Sequence, residues 1–473
     1  MRLLGLQVWN RKQAGRIVRV MASAALLLSL FSPAVWADHG GPHDEAEPGT
    51  ESHMAPEHSP EEGADPSASA EEDATAAPEE ANHSEAGRSE TEQYAATLEF
   101  TATAAGQSGL KTENDLSPNA RSAILMDADT GTVIFEKNPH EKLPPASITK
   151  VMTMLLVMEE LDKGTLKLDD QVTTSEYAAS MGGSQIFLEP GEAMSVEDLL
   201  KGVAMASGND ATVALAEKIA GSEEIFIRMM NEKAKELGLK NTHFSNTNGL
   251  PAEDHYTTAY DIAVMSRELL KHEEIIQFTS KYQDYLRKDT DKPFWLVNTN
   301  KLVRFYDGAD GLKTGYTSEA KFCLSATAKR GSFRVIAVVL GEPNTKTRNA
   351  EVASMFNFAF SQYTNVPIVK NGAEFGIVQV EKGKQSNIVL KAERPYSVLM
   401  KKSDATDLNL RHELVLAEQL KAPVKKGQEI GKLVIYNNDQ SLGEYALYAP
   451  EDIDKAGWWT LMKRTMAKLA FID

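Results

Sequence analysis

Pro145-Ala146-Ser147-Ile148-Thr149-Lys150-Val151-Met152-Thr153 opens an apolar run, Ile148 to Met158, that reads as a buried helix ended by Gly164. Ser147 falls where such a helix begins. Lys150 comes one turn later, so the two side chains share a face. A hydroxyl at a helix N-terminus sees oriented backbone N–H groups and the positive end of the dipole. A lysine held beside it and partly desolvated can lose its proton near neutral pH and become the base that activates the serine. Taken alone, the pair reads more simply as an N-cap serine and an exposed helix lysine. The rest of the chain has to decide.

Two further stretches carry chemistry. Leu199 to Ala206 and Ala211 to Ala220 read as apolar helical runs joined by Ser207-Gly208-Asn209-Asp210, which is first of all a turn. Held rigidly there, Ser207 can relay a proton, and the Asn209 amide can hold a substrate carbonyl or the attacking lysine. Ala309 to Gly341 reads as three antiparallel strands, and the first contains Lys313-Thr314-Gly315-Tyr316. A glycine inside a strand marks a close approach to the backbone. A cation, a hydroxyl and a bare backbone in a row can grip a carboxylate, although a lysine on an edge strand also serves to block edge-to-edge pairing.

Ser147-x-x-Lys150, Ser207-Gly208-Asn209 and Lys313-Thr314-Gly315 therefore occur in that order, on a helix start, an interhelical turn and a strand. This set resembles that of penicillin-binding proteins and class A β-lactamases. The stretches Phe244-Ser245-Asn246-Thr247-Asn248-Gly249-Leu250-Pro251 and Ala309 to Thr317 narrow it. The chain resembles a low-molecular-mass penicillin-binding protein, a serine-type D-alanyl-D-alanine carboxypeptidase, strongly from about Ala95 to Tyr363 and more faintly beyond.

The resemblance implies an α/β (α+β) transpeptidase-type domain, an antiparallel sheet flanked by helices. It implies that Ser147 forms an acyl-enzyme, that Lys150 takes the serine proton, that Ser207 relays a proton and that Asn209 orients the substrate. Lys313 and Thr314 would bind the terminal carboxylate in the Lys313-Thr314-Gly315 strand, and the backbone N–H groups of Ser147 and Tyr316 would form the oxyanion hole. Arg348, in Arg-Asn-Ala-Glu, stands where relatives carry an arginine near this site, and reads equally as a surface residue at a helix start. The implied substrates are peptidoglycan stem peptides ending in D-Ala–D-Ala, with β-lactams as acylating inhibitors and no metal or organic cofactor.

The flanks read independently of the site. Residues 1–37 resemble a secretory signal peptide, with Arg2, Arg11, Lys12, Arg16 and Arg19 before the short apolar run Val20 to Phe31 and a cleavage site after Ala37. This places the mature protein outside the cytoplasm. Residues 38–94 are acidic and poor in large apolar side chains, which predicts a disordered tether. Their five histidines, His39, His43, His53, His58 and His83, are too irregularly spaced to favour a metal site. The net charge is −18, of which −16 lies between Asp38 and Glu92. The remainder has no basic character of the kind that nucleic acid would require.

A catalytic domain is expected over 95–363, and a small all-β domain over 364–450, where short alternating runs are separated by turns such as Asn371-Gly372. Over 451–473, Trp458, Met462, Thr465 and Leu469 line one helical face, flanked by Leu461, Trp459 and Met466, with Lys463, Arg464 and Lys468 opposite. That pattern predicts an amphipathic helix lying on a membrane surface, too short and charged to span it. The single cysteine, Cys323, reads as a small buried hydrophobe.

Two other readings compete. A β-lactamase shares the motifs, but Glu189 is a poor match for a deacylating glutamate, and the central motif is Ser-Gly-Asn rather than Ser-Asp-Asn. A D,D-endopeptidase, or a non-catalytic protein keeping the fold, is the other; the second has no chemical need for Ser147, Lys150, Asn209 and Lys313 together.

Overall fold

The protein is described by a computed structural model over residues 115–392, 396–405, 408–416 and 420–469. The signal-like segment and the acidic tether of 38–94 lie outside the described residues. So do 95–114, where ordered structure was expected to resume.

The catalytic half is built on one five-stranded antiparallel sheet. Its order is Val133–Lys137, Ser122–Asp127, Phe333–Glu342, Lys321–Arg330 and Ala309–Thr317, which puts the Lys313 strand at the edge. The central strand is apolar at consecutive positions, and alternation sends its side chains to two cores. Ile336, Val338 and Leu340 enter one; Val335, Ala337 and Val339 enter the other. Each of these Ile, Val and Leu side chains contributes roughly 1.5–3 kcal/mol by burial. The first core contains residues of helices Lys150–Lys163, Asn209–Ala220 and Ala259–Leu269. The second lies under helix Thr345–Gln362, whose N-cap Asn344 accepts from the Thr347 N–H at 2.8 Å.

The predicted helix at Ser147 begins with a 3₁₀ turn, Ala146–Thr149, before the α-helix Lys150–Lys163, and Gly164 closes it in the left-handed region. Its first core-facing turns hold Val151, Met154 and Leu155, all buried. The predicted turn at 207–210 is shorter than the sequence suggested, because Asn209 and Asp210 already belong to the following helix. The preceding run, read as plain helix, is α-helical over Val196–Lys201 and widens to a π-turn over Gly202–Ala206.

After Tyr363 the chain forms short strands in sheets of two and three around a single apolar core that includes Val398, Leu433 and Ile435. The amphipathic helix is present as Trp458–Leu469. Trp458, Trp459 and Met466 are exposed, and the two indoles stack at 5.6 Å. Arg464, predicted on the solvent side, instead donates to the Gly383 and Lys384 carbonyls, both at 2.8 Å. Arg464 thus faces the β-domain, while Lys463 is exposed. Among the described residues no helix is long and apolar enough to cross a membrane.

Candidate active site

The 3₁₀ turn carrying Ser147 is pressed against the edge strand. A Cβ on Gly315 would lie 3.0 Å from the Pro145 carbonyl and 3.2 Å from the Ala146 Cβ, so the glycine permits the close approach that its place in a strand implied. Gly249 packs tighter still. With φ at +88°, a Cβ there would fall 1.8 Å from the Ala146 carbonyl oxygen. Ala146 itself is held at φ +46°, a costly conformation for a residue with a side chain. The turn that bears Ser147 is thus clamped from two sides.

Lys150 is fully buried and makes three contacts. Its Nζ lies 3.1 Å from Ser147 Oγ, 2.6 Å from Asn209 Oδ1 and 2.6 Å from the Asn248 carbonyl. The last two partners only accept, so they take two N–H groups. A neutral amine then aims its lone pair at the serine hydroxyl. Burial lowers the Lys150 pKa well below its ordinary value, the Lys313 charge lowers it further, and Asp210 opposes both.

Asn209 is oriented at both ends. Its Nδ2 donates to the Gly182 carbonyl at 2.6 Å, and its backbone N–H donates to the Ser184 carbonyl at 2.7 Å. Asp210 accepts from the Ile186 and Leu188 N–H groups and ties the 182–188 loop to the same helix start. Ser207 sits at φ +65°, and its buried hydroxyl has no hydrogen-bond partner among the described residues.

Lys313 is also buried. Its Nζ donates to the Thr314 carbonyl at 3.0 Å, and Thr314 Oγ1 donates to Thr299 Oγ1 at 2.7 Å. Burial, then the neighbouring Arg348 charge, lowers the Lys313 pKa to about 7. Tyr316 projects outward and stacks on Phe322 at 4.5 Å. Arg348 is not a surface residue: it is 4% exposed, donates to Asn349 Oδ1 at 3.0 and 3.1 Å, and reaches the Cys323 carbonyl at 3.5 Å. Burial lowers its pKa to about 10. Among the described residues no carboxylate forms a salt bridge with Lys150, Lys313 or Arg348. With Lys150 neutral, Lys313 and Arg348 are the two buried basic groups of the site that can meet an anionic ligand. No group of His, Cys, Asp or Glu among the described residues converges as a metal site.

Sequence reasoning missed several supports. The Asn248 carbonyl is a backbone group, which no residue type announces, although Phe244 to Pro251 stood out as a family-like stretch. His255 lies under the turn that bears Ser147. Its Nδ1 accepts from the Ser245 N–H, so its Nε2–H donates to Thr149 Oγ1 at 2.7 Å, and Thr149 donates on to the Ala146 carbonyl at 2.9 Å. Burial, then the charges of His243 and Lys150, lowers the His255 pKa to about 4 and keeps the ring neutral. A cavity of about 350 Å³ opens beside Ala146, lined in part by Gly249, His255 and Thr317. Glu189 points into solvent and pairs with Lys292 at 2.9 Å.

Comparison with known proteins matches the chain to a family. A D-alanyl-D-alanine carboxypeptidase family model matches residues 109–344, and a penicillin-binding protein 5 C-terminal domain model matches residues 363–455. The chain is 54% identical to the D-alanyl-D-alanine carboxypeptidase DacF of Bacillus subtilis, over 78% of this chain and 95% of that one. It is 36% identical to DacC of Escherichia coli, over 72% of this chain and 86% of that one. The crystal structures of penicillin-binding protein 5 from Haemophilus influenzae superimpose with a TM-score of 0.59 at 31% identity, covering 73% of this chain and 99% of that one.

Proposed function

Because the chain belongs to the D-alanyl-D-alanine carboxypeptidase family, we propose that Ser147 and Lys150 carry out its acyl transfer on stem peptides ending in D-Ala–D-Ala. The observation that carries this reading is the Lys150 amine, buried, fixed by two acceptors and 3.1 Å from Ser147 Oγ. Lys150 takes the serine proton as Oγ bonds to the carbonyl carbon of the penultimate D-alanine. The backbone N–H groups of Ser147 and Tyr316 hold the developing oxyanion. The C–N bond then breaks. Ser207 passes a proton to the departing amine, and D-alanine leaves. Water attacks the ester, its proton returns through Lys150, and the shortened peptide is released. Asn209 orients the peptide. Lys313, Thr314 and Arg348 bind the terminal carboxylate, which supplies an anion to the two buried basic groups, Lys313 and Arg348. β-Lactams enter by the same route and leave Ser147 acylated.

Rapid deacylation of a β-lactam is not favoured, since Glu189 is exposed and paired with Lys292. The test is release of D-alanine from a wall-type pentapeptide by the full chain, with Ser147→Ala as control. Serine-dependent release is expected. Penicillin hydrolysis without D-alanine release would contradict the assignment and favour a β-lactamase.

Residues 1–37 export the chain in this reading, and helix Trp458–Leu469 holds it on the outer face of the cytoplasmic membrane. Trp458, Trp459 and Met466 stay exposed while Arg464 is tied to the β-domain, which supports insertion of the indole face into a lipid interface. Trp458→Ala with Trp459→Ala should abolish sedimentation with anionic vesicles and leave D-alanine release unchanged. Undiminished vesicle binding would remove this part of the reading.

A further inference from the structure

Strand Phe333–Glu342 ends on an acid that the proposed reaction does not use. Both carboxyl oxygens of Glu342 are buried, and neither has a hydrogen-bond donor among the described residues. Helix Thr345–Gln362 brings a second acid, Glu351, against it. Glu351 is the anion of the pair. It accepts from the Ser117 hydroxyl at 2.6 Å, the Asn119 side-chain amide at 2.6 Å and the Asn119 N–H at 3.0 Å. A buried carboxylate with no donor is costly, whereas a carboxylic acid donating to a neighbouring carboxylate satisfies both groups. Glu342 is therefore the neutral acid, its pKa raised to about 8 by burial first and by Glu351 second. Burial opposes ionisation of Glu351 as well, but the hydrogen bonds from Glu342, Ser117 and Asn119 outweigh it and lower its pKa.

One turn before Glu351 on the same helix is Arg348, buried and without a salt bridge among the described residues. Arg348 reaches the Cys323 carbonyl at 3.5 Å, and the residue before Cys323, Phe322, pairs with Glu342 across the sheet, so the two groups approach the same end of the strand. We propose that the Glu342–Glu351 pair is a positioning device for the carboxylate subsite: by keeping the acid beside Arg348 uncharged, it leaves the guanidinium free for the substrate's terminal carboxylate. The proposal rests on the reading of Lys313 and Arg348 as that subsite. Ionised Glu342 would give Arg348 an internal anion, and substrate would have to compete with it.

The remaining charges that face Glu342 do not supply this effect. Lys137, from the strand Val133–Lys137, is paired with Asp115 at 3.1 Å and donates to the Ser117 carbonyl at 2.8 Å. Cys323, from the neighbouring strand, has its thiol pushed up to about 11 by burial and stays neutral over the working range. Lys313 titrates lower, at about 7, so the KM for a D-Ala–D-Ala peptide should climb in two stages as pH rises. The upper stage belongs to Glu342.

The experiment is the pH dependence of KM and kcat, from about pH 6 to about pH 10, for the full chain and three variants. In the wild type the upper stage should raise KM by about three- to tenfold, the scale of one partly buried ion pair. Glu342→Gln, neutral at every pH, should lose the upper stage, keep the lower one and leave kcat unchanged. Glu351→Gln should move the upper stage to lower pH, because the charge that holds Glu342 protonated is gone. A purely structural role would shift neither limb. A Glu342→Gln profile that superimposes on the wild type, or a Glu351→Gln profile that does not move, overturns the proposal. Arg348→Gln separates it from the underlying reading: an unchanged KM at neutral pH would show that Arg348 does not bind the carboxylate at all.

Discussion

The catalytic half and the C-terminal β-domain treat charge in opposite ways. In the first, the basic groups Lys150, Lys313 and Arg348 are buried, and among the described residues none of them forms a salt bridge; the turn that carries Ser147 is strained and clamped by glycines. In the second, the core is apolar, and the charges stand outside in exposed pairs such as Lys384–Asp454, Lys391–Glu374 and Lys432–Glu444. Exposed pairs of this kind contribute little to stability. Buried unpaired cations cost stability unless something else requires them, and a ligand that brings the missing anion is such a requirement. The difference separates a region organised for chemistry from one organised to fold.

The largest expected effect lies where buried charge meets the nucleophile. Lys150→Ala should lower the rate of D-alanine release by about 10²–10⁴-fold, the range for removing a positioned base, without loss of fold by circular dichroism. Retained activity would place the base elsewhere. Gly249→Ala follows. A Cβ there falls 1.8 Å from the Ala146 carbonyl, so the nucleophile turn must shift. A displacement of about 1 Å can cost about 100-fold, to be read as the penicillin acylation rate.

In the β-domain the same logic predicts the converse. Leu433→Ala should cost about 2–5 kcal/mol in denaturant unfolding of that domain and leave kcat/KM at its wild-type value. A change in kcat/KM would mean that the β-domain shapes the cleft.

The smallest effect is at the junction. Asp129 accepts from Asn365 at 2.9 Å and from Ser397 at 3.2 Å, which links the first hairpin to the β-domain. Asp127 beside it has its pKa raised to about 6 by burial, opposed by hydrogen bonds from Thr130. A raised folded pKa favours the folded state below the unfolded value and loses that contribution as pH rises through about 6. Asp127→Asn should therefore raise Tm by about 2–4 °C at neutral pH and by nothing near pH 4, by calorimetry.

Much of this site was legible in the sequence because its residues sit on elements with clear periods. Ser147 and Lys150 lie one turn apart at the head of an apolar run. Gly315 interrupts a strand where the turn carrying Ser147 presses against it. What was not legible depends on backbone groups and on long-range burial. The Asn248 carbonyl that fixes Lys150 has no residue-type signature. The left-handed backbone of Ser207 and Ala146 follows from packing, not propensity. Arg348 read as well for a surface residue as for a site residue, because only the fold of helix Thr345–Gln362 against the sheet buries it. Arg464 looked like a solvent-facing cation on a helical wheel, yet two carbonyls of the β-domain claim it.

The central claim is that Lys150 is a neutral amine in the resting enzyme. Heteronuclear NMR of lysine labelled at Cε, with Lys150→Arg to assign its resonance, measures this directly. The account predicts that Lys150 titrates well below its ordinary value of 10.5 and that penicillin acylation rises with pH along the same curve. A Lys150 resonance that titrates near 10.5, with acylation already at full rate at neutral pH, would contradict it.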